Sequence, residues 1–243
     1  MNRSNRILLG VWIALILGGA GMLMTQAGAP LVTRETIFWL VACFAGEVLW
    51  VRLPAGAATV SMAACFNFAA LLVLAPREAV PVAALATLTA ELAVMRKSPV
   101  RALFNAGQTA LAVALARACF DACGGRGVSV MELVSGLQLL PLLAAAVAYY
   151  ALNRAAVVIA VALAQSIGLR ESWRRNFGSA YDVLSTGAAF SLGALLATHY
   201  AGIGMVGTLF VALPLVLACD GYRRFARDAK ASEPEAHSER RAA

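Results

Sequence analysis

Long apolar runs recur along almost the whole chain, and they constrain its fold more than any other feature. A helix that crosses the hydrocarbon core of a bilayer needs about 20 mostly apolar residues. Eight segments reach or nearly reach that length: residues 7–26, 34–51, 59–75, 78–95, 100–122, 137–166, 180–199 and 203–222. The sequence therefore predicts an all-α fold, a polytopic transmembrane bundle of about eight helices that occupies residues 1–222.

The composition excludes an ordinary water-soluble domain. Of the 243 residues, 61% are hydrophobic and 14% are charged, whereas soluble domains average roughly 45–50% apolar and about 25% charged residues. No long polar stretch divides the apolar runs. We therefore expect one membrane domain whose principal partner is the lipid bilayer.

Two parts of the chain leave alternatives open. The third and fourth segments are short and are joined by Ala75-Pro76-Arg77, so they form either a tight helical hairpin or a re-entrant pair. The first segment has basic residues before it and small residues (27–29) after it, a pattern that a cleaved signal peptide also has. Its apolar stretch, Ile7 to Met24, is longer than the usual core of a signal peptide, so we favour a retained helix.

Basic residues predict the orientation, because positively charged loops stay on the cytoplasmic side. Fifteen of the 20 Lys and Arg residues fall on one side: Arg3, Arg6, Arg52, Arg96, Lys97, Arg101, Arg170, Arg174, Arg175, Arg223, Arg224, Arg227, Lys230, Arg240 and Arg241. The other side receives Arg34, Arg77, Arg117 and Arg126, and Arg154 lies within a segment. We therefore expect a bacterial inner-membrane protein with both termini in the cytoplasm, which requires an even number of helices.

Residues 223–243 form a second region that is too polar to bury a core. We expect a disordered cytoplasmic tail there. Its basic stretch, Arg223 to Lys230, suits anionic lipid, which attracts each surface charge by about 1 kcal/mol. We favour this anchoring role over docking of a cytoplasmic partner, although the two are compatible.

Several functional classes find no support in the sequence. The net charge of +7 comes from short clusters between apolar runs rather than from one basic face, so we expect no nucleic-acid partner. The chain has no HExxH, GxSxG or P-loop motif and only two histidines, so we expect no enzyme, no metal and no cofactor. All five cysteines lie in apolar surroundings and are predicted to be small core residues: Cys43, Cys65, Cys119, Cys123 and Cys219.

Ionisable side chains inside the apolar segments are candidates for function, because burying a charge in a bilayer is unfavourable. Arg154 lies in the sixth segment, and Glu47 and Glu91 lie near the cytoplasmic ends of the second and fourth. We predict that Arg154 pairs with Glu47 or Glu91. The pair either lines a polar pocket for a small ligand or is purely structural, and the structural interpretation is slightly preferred because buried pairs fix packing without binding anything.

Amide side chains extend this polar set, since amides in hydrocarbon seek partners on neighbouring helices. The candidate ligand-binding or buried polar cluster is Glu47, Asn67, Glu91, Asn105, Gln108, Asn153 and Arg154. Two acids are assigned elsewhere: Asp121 is predicted to pair with Arg117 near the outer surface, and Asp182 to favour a helix N-terminus without a functional role. Small residues at every fourth position from Ala189 to Ala197 favour close packing within the chain.

Several short strings occur in order between roughly residues 45 and 225. They are Arg52-Leu53-Pro54 before Ser61 and Phe66, Pro99 before Leu103-Phe104-Asn105-Ala106 and Gln108, Tyr150 before Asn153, Trp173 before Asn176-Phe177, and Gly202 and Gly204 before Phe210 and Pro214. Their order and spacing resemble the multi-helix membrane sensory domains found ahead of HD-GYP phosphodiesterase or GGDEF diguanylate cyclase domains in bacteria. The resemblance implies a module that senses a signal and passes it through its last helix to a cytoplasmic output domain.

The leading hypothesis is therefore a non-enzymatic, sensor-type membrane module that binds a small-molecule ligand or responds to membrane state. Because the sequence ends soon after the eighth segment, we expect it to act alone or through a separate cytoplasmic signalling partner. The alternative is a small-molecule transporter or the substrate-binding component of an uptake system, which is also compact, helical and rich in small residues. A structural subunit without a ligand is a third interpretation.

Overall fold

The protein folds into helices that match the apolar segments. The computed structural model describes residues 3–27, 32–52, 59–126, 136 and 138–242. Its helices are α1 (Arg3–Ala27), α2 (Arg34–Val48), α3 (Ala63–Val73), α4 (Pro76–Thr89), α5 (Pro99–Ala122), α6 (Leu139–Gln165), α7 (Leu169–Phe177) and α8 (Ala180–Ala242). A single π-helical stretch, Ala90–Val94, continues α4. Each of the first six predicted segments thus contains a helix of its own, and the last two segments both lie within α8.

Helix length separates the segments into two groups. Four stretches are long and apolar enough to cross a membrane: Ser4–Thr25, Pro99–Ala122, Leu139–Gln165 and Ala180–Ala218. By contrast, α2 has 15 residues and α3 has 11, which is short of the roughly 20 residues that a spanning helix needs. Among the described residues, the helices therefore include four candidate spans, and the prediction of eight complete spans stays a prediction.

The apolar part of α8 is longer than a membrane is thick. Its 39 residues would give a straight helix of about 58 Å, whereas the hydrocarbon core measures about 30 Å. Gly204, with φ 69° and ψ −169°, interrupts the helix. Only glycine readily adopts this backbone conformation. The break divides α8 into two helices that correspond to the predicted seventh and eighth segments.

A small antiparallel hairpin lies between the second and third helices of this otherwise helical fold, which keeps the predicted all-α class. Strand β1 (Trp50–Arg52) pairs with strand β2 (Thr59–Ser61), and Trp50 lies opposite Ser61. Both strands contain β-branched residues, and the sequence between them contains Pro and Gly, a pattern typical of strands joined by a loop. The predicted third segment, 59–75, therefore begins with a strand, and its helix starts only at Ala63.

The last helix continues into residues 223–242, for which the prediction of a disordered cytoplasmic tail stays a prediction. Ala, Glu, Lys and Arg, which are abundant there, are strong helix formers. A polar sequence can therefore extend a helix even where it has no apolar face to bury.

The core contains close contacts between small and aromatic residues. A Cβ atom added to Gly193 would approach the carbonyl oxygen of Cys65 to 2.5 Å, so only glycine allows α8 to lie this near α3. The rings of Phe68 and Phe190 pack beside this contact with centroids 4.8 Å apart. Ala189 and Ala197 are also buried. The spacing of small residues in α8 is thus confirmed as a packing feature within the chain.

Helix α1 packs on the bundle. The Trp12 indole donates to the carbonyl of Ala156 in α6 at 3.1 Å, and Gly107 of α5 leaves room for Ile16 and Ala20. These contacts fit a retained helix. The predicted cleavage motif lies mostly outside the described residues, and cleavage stays untested.

The cysteines divide into two groups. Cys43 and Cys65 are buried in the core, as predicted. Cys119 is half-buried and Cys123 is exposed, which corrects the prediction for the latter, since it lies just beyond the last turn of α5. The side chain of Cys219 lies outside the described residues.

Candidate functional site

A polar cavity of about 370 Å³ lies among six helices. Its wall includes all seven residues of the predicted polar cluster: Glu47, Asn67, Glu91, Asn105, Gln108, Asn153 and Arg154. They come from α2, α3, the π-helical stretch, α5 and α6, and α4 and α8 complete the wall. Polar side chains from distant parts of the chain thus meet at one place, as their burial in apolar helices requires.

Arg154 pairs with an acid other than those predicted. Its Nη2 atom lies 2.7 Å from Oδ1 of Asp182, and its Nε atom lies 3.2 Å from Oδ2. Both side chains are largely buried, with 20% and 15% exposed. The prediction of Glu47 or Glu91 as partner is wrong because Asp182, in the first turn of α8, lies directly opposite Arg154 of α6.

Further contacts surround this ion pair. Tyr150 donates its hydroxyl to Oδ2 of Asp182 at 2.9 Å, and Arg154 donates to Thr186 at 3.1 Å and to Asn153 at 3.3 Å. The guanidinium carbon of Arg154 also lies 4.6 Å from the ring centroid of Phe177 in α7. The ion pair therefore connects α6, α7 and α8.

Glu91 is held by a second polar group. It is 4% exposed and accepts hydrogen bonds from Lys97 at 2.5 Å and from the Asn105 amide at 2.7 and 2.8 Å. After the π-helical stretch, Arg96 takes a positive φ of 52°, which ends the helix and returns Lys97 towards Glu91. Such π-helical turns occur frequently at functional sites.

Glu47 has a different environment. Its Oε1 atom accepts a hydrogen bond from the Thr87 hydroxyl at 2.6 Å, and Thr87 lies 3.5 Å from the Thr109 hydroxyl. Among the side chains that the structure describes, no basic group forms an ion pair with Glu47. Its contacts differ in this respect from those of Glu91 and Asp182.

Two amides in the wall are incompletely satisfied. Asn67 is 1% exposed and Gln108 is 6% exposed. Asn67 donates to the Tyr149 hydroxyl at 3.3 Å, but no residue that the structure describes donates to its Oδ1 atom or to the Oε1 atom of Gln108. Nearly all buried polar groups in proteins are paired, so each exception calls for an explanation.

Sequence reasoning missed several members of this site. Asp182, Ser185 and Thr186 line the cavity, and their spacing of three and four residues places them on one face of α8. That spacing was a usable signal within an otherwise apolar segment. Thr87, Thr109 and Lys97 carried no comparable signal, because single polar residues near helix ends or within apolar helices are common.

Among the strings that resemble the sensory-domain family, Asn105, Gln108, Tyr150 and Asn153 line the cavity, and other described members lie outside it. Phe104 is buried beside Ile16 and Ala156. Asn176 donates to the Ser172 carbonyl at 2.8 Å, and Trp173 and Pro214 are exposed. None of these four lines the cavity. Pro54 and the side chain of Arg52 lie outside the described residues.

The predicted pairing of Arg117 with Asp121 is confirmed. The Nε atom of Arg117 lies 3.0 and 3.1 Å from the two carboxylate oxygens. Its Nη1 atom also donates to the carbonyls of Leu71 and Leu74 at 2.8 and 3.1 Å. This arginine therefore joins α5 to the end of α3, away from the cavity.

Comparison with known families identifies the kind of domain. The MASE9 family, a family of membrane-associated sensory domains, matches residues 11–219. No curated protein and no solved structure matches the chain. The match covers three of the four candidate spans completely and Ser4–Thr25 from residue 11 onwards. The chain therefore belongs to the MASE9 family of membrane-associated sensory domains.

Proposed function

We propose that this domain is a multi-pass, inner-membrane sensor that binds a small polar ligand in the cavity and signals to a cytoplasmic partner. The observation that carries the proposal is the pair of buried amide oxygens, on Asn67 and Gln108, for which no described residue supplies a hydrogen-bond donor, in a wall whose three acids all accept hydrogen bonds. A purely structural polar cluster would satisfy its own donors and acceptors, because unpaired polar groups destabilise the fold. A ligand supplies the missing partners.

The distribution of basic residues supports access from the cytoplasm. Lys97 lines the cavity with 36% of its side chain exposed, so the wall reaches the surface there. Its loop is rich in positive charge, as are α7 and the end of α8. Under the positive-inside rule these parts lie in the cytoplasm, and both termini with them.

The ion pair offers a route from the cavity to the cytoplasmic surface. Arg154 lies in the cavity wall and also contacts Phe177 of α7, and Ser172 of α7 donates to the Val158 carbonyl of α6 at 2.9 Å. A ligand that changes the contacts of Arg154 would shift α7 relative to α6 and α8. We propose that this shift is what a partner detects, without catalysis by the domain itself.

A ligand screen tests the proposal. The full chain, reconstituted in nanodiscs, is screened by thermal unfolding against a library of small polar compounds. A true ligand of the cavity stabilises the wild type but not Gln108→Leu, which replaces the unpaired carbonyl by an apolar group of similar size. The matched control is Gln138→Leu. Gln138 is buried outside the cavity and accepts a hydrogen bond from the Arg126 backbone at 3.2 Å.

The outcomes distinguish the alternatives. The proposal predicts that Gln138→Leu lowers the stability but keeps the ligand response, whereas Gln108→Leu keeps the stability and loses the response. Equal responses in both variants, or no compound that stabilises the wild type, would contradict it. Family membership does not favour the transporter alternative; net uptake of the bound compound by proteoliposomes would revive it.

A further inference from the structure

We infer that the ligand of this cavity is a small organic cation, an ammonium or guanidinium compound, and that Glu47 is its counter-ion. The inference rests on the proposed function, because it names the chemical class of the molecule that fills the same cavity. Three observations carry it: the charges in the wall, the unpaired acceptors and the size of the cavity.

The charges in the wall leave one carboxylate without a cation. Among the described residues, five carboxylate, ammonium or guanidinium side chains line the cavity: Glu47, Glu91, Lys97, Arg154 and Asp182. Lys97 pairs with Glu91, and Arg154 pairs with Asp182. Within the described part of the chain, Glu47 keeps only the Thr87 hydroxyl as a hydrogen-bond donor at 2.6 Å. A partly buried carboxylate gains most from a partner that brings a positive charge and hydrogen-bond donors together.

The unpaired groups in the wall are acceptors. The Oδ1 atom of Asn67 and the Oε1 atom of Gln108 receive no hydrogen bond from the side chains and backbone that the structure describes, and both residues line the cavity. The last torsion of an amide side chain has a broad energy profile, so a modest rotation presents either oxygen to the cavity. A ligand with several N–H groups satisfies these acceptors and Glu47 at once.

An anionic ligand fits the same wall poorly. The guanidinium of Arg154 already donates to Asp182, Thr186 and Asn153, and the ammonium of Lys97 already donates to Glu91. Each cation in the wall is thus already neutralised by a buried acid, and an anion that took the place of that acid would break a buried ion pair. Removing one member of a buried ion pair is strongly unfavourable.

The volume favours an organic molecule. The cavity measures about 370 Å³, within the roughly 300–1,000 Å³ typical of small-molecule sites. Tyr149 and Tyr150 also line it, and tyrosine rings attract organic cations through their negative faces. The wall thus has the features that recognise an amine or a guanidinium: a carboxylate, neutral acceptors and aromatic rings.

Three matched probes test the charge preference. Linear aminobutanol, butanediol and hydroxybutyrate have the same chain length and one common hydroxyl, and differ only in a terminal ammonium, hydroxyl or carboxylate. Their affinities are measured by isothermal titration calorimetry on the full chain in nanodiscs of uncharged lipid, which prevents adsorption of the amine to anionic lipid. We expect aminobutanol to bind about tenfold more tightly than butanediol, because a hydrogen bond to a charged group is stronger than a neutral one by about the 1.4 kcal/mol that a tenfold change in affinity represents.

Glu47→Gln then removes the charge while its amide oxygen still accepts from Thr87. This variant should bind aminobutanol and butanediol with equal affinity. The control is Glu78→Gln, the same chemical change at a glutamate of α4 that does not line the cavity, and it should keep the tenfold preference. Equal binding of the probes to the wild type, preference for hydroxybutyrate, or no binding of any probe overturns the inference.

The two proposals fail separately. If the library screen finds a neutral or anionic compound whose effect depends on Gln108, the cavity binds a ligand but the cation inference is wrong. If no compound depends on Gln108, the proposed function itself fails.

Discussion

Two arginines, Arg154 and Arg117, lie within helices of the bundle and look alike in isolation. Their side chains are 20% and 22% exposed, and each pairs with an aspartate. Each also stacks on an aromatic ring, Arg154 on Phe177 at 4.6 Å and Arg117 on Phe120 at 5.9 Å. Composition and burial therefore do not distinguish them.

Their partners do. Arg117 pairs with Asp121 of its own helix, which is 48% exposed, and donates to two carbonyls at the end of α3. It thus satisfies backbone groups that a helix end leaves unpaired. Arg154 pairs with an aspartate of another helix that is only 15% exposed, in the wall of the polar cavity, whereas Arg117 and Asp121 line a separate cleft among mainly apolar residues. The comparison teaches that the partners of a buried charge, rather than its burial, separate a structural arginine from a candidate functional one.

Arg154→Met should have the largest effect on stability. It leaves Asp182 buried without a cation, and breaking such a pair typically destabilises a protein by about 3–5 kcal/mol. The free energy of unfolding, measured by chemical denaturation in nanodiscs, should fall by that amount. The double variant Arg154→Met/Asp182→Asn should recover most of the loss. A single variant as stable as the wild type would show that Asp182 is not held by Arg154.

Arg117→Met should have the next largest effect. It removes the donor of the Leu71 and Leu74 carbonyls, and a hydrogen bond to a charged group contributes about 1.5–3 kcal/mol. The same denaturation experiment should give a loss in this range. Because Arg117 lies away from the cavity, the response to a cavity ligand should not change. A variant that folds but has lost that response would contradict the distinction between the two arginines.

Tyr150→Phe sharpens the comparison at the cavity. It removes only the hydroxyl that donates to Asp182 at 2.9 Å, while the ion pair stays. Side-chain hydrogen bonds within membrane proteins contribute on the order of 0.6 kcal/mol, so the loss of stability should be of that size. A loss of stability as large as that of Arg154→Met would show that the Tyr150 hydroxyl, rather than the ion pair, accounts for the stability of the site.

Asp121→Asn should have the smallest effect. Asp121 is about half exposed, and exposed ion pairs contribute about 0–1 kcal/mol. Arg117 keeps its carbonyl partners. Thermal unfolding of the variant in nanodiscs should therefore nearly coincide with that of the wild type. A loss of several kcal/mol in the free energy of unfolding would show that the pair of Arg117 and Asp121 contributes as much to stability as the buried pair of Arg154 and Asp182.

Much of the candidate site could be predicted from the sequence. Arg154, Glu91 and Asn67 stand out because polar side chains in apolar helices must face one another, and all line one cavity. The pairing of Arg117 with Asp121 was predictable because residues four apart on a helix are neighbours.

The pairing of Arg154 with Asp182 was not predictable. The sequence indicates that a buried charge needs a partner, but the choice among Glu47, Glu91 and Asp182 depends on how α6 and α8 approach each other. Two features contribute to that approach. They are the close contact of Gly193 in α8 with Cys65 in α3 and the short helix α7 that joins α6 to α8. The spacing of small residues around Gly193 indicates close packing, but local periodicity does not indicate which helix lies against it.

The sequence alone determined that this chain suits a lipid bilayer and that its buried polar side chains must contact one another. Both conclusions follow from the unfavourable transfer of charged and polar groups into hydrocarbon. Only the tertiary structure decided which groups pair and which are left over. Pairing depends on distances of a few ångströms between helices that are far apart in the chain. Among the described side chains, Glu47 is the acid of the cavity without a cation, because helix packing places Lys97 beside Glu91 and Arg154 beside Asp182.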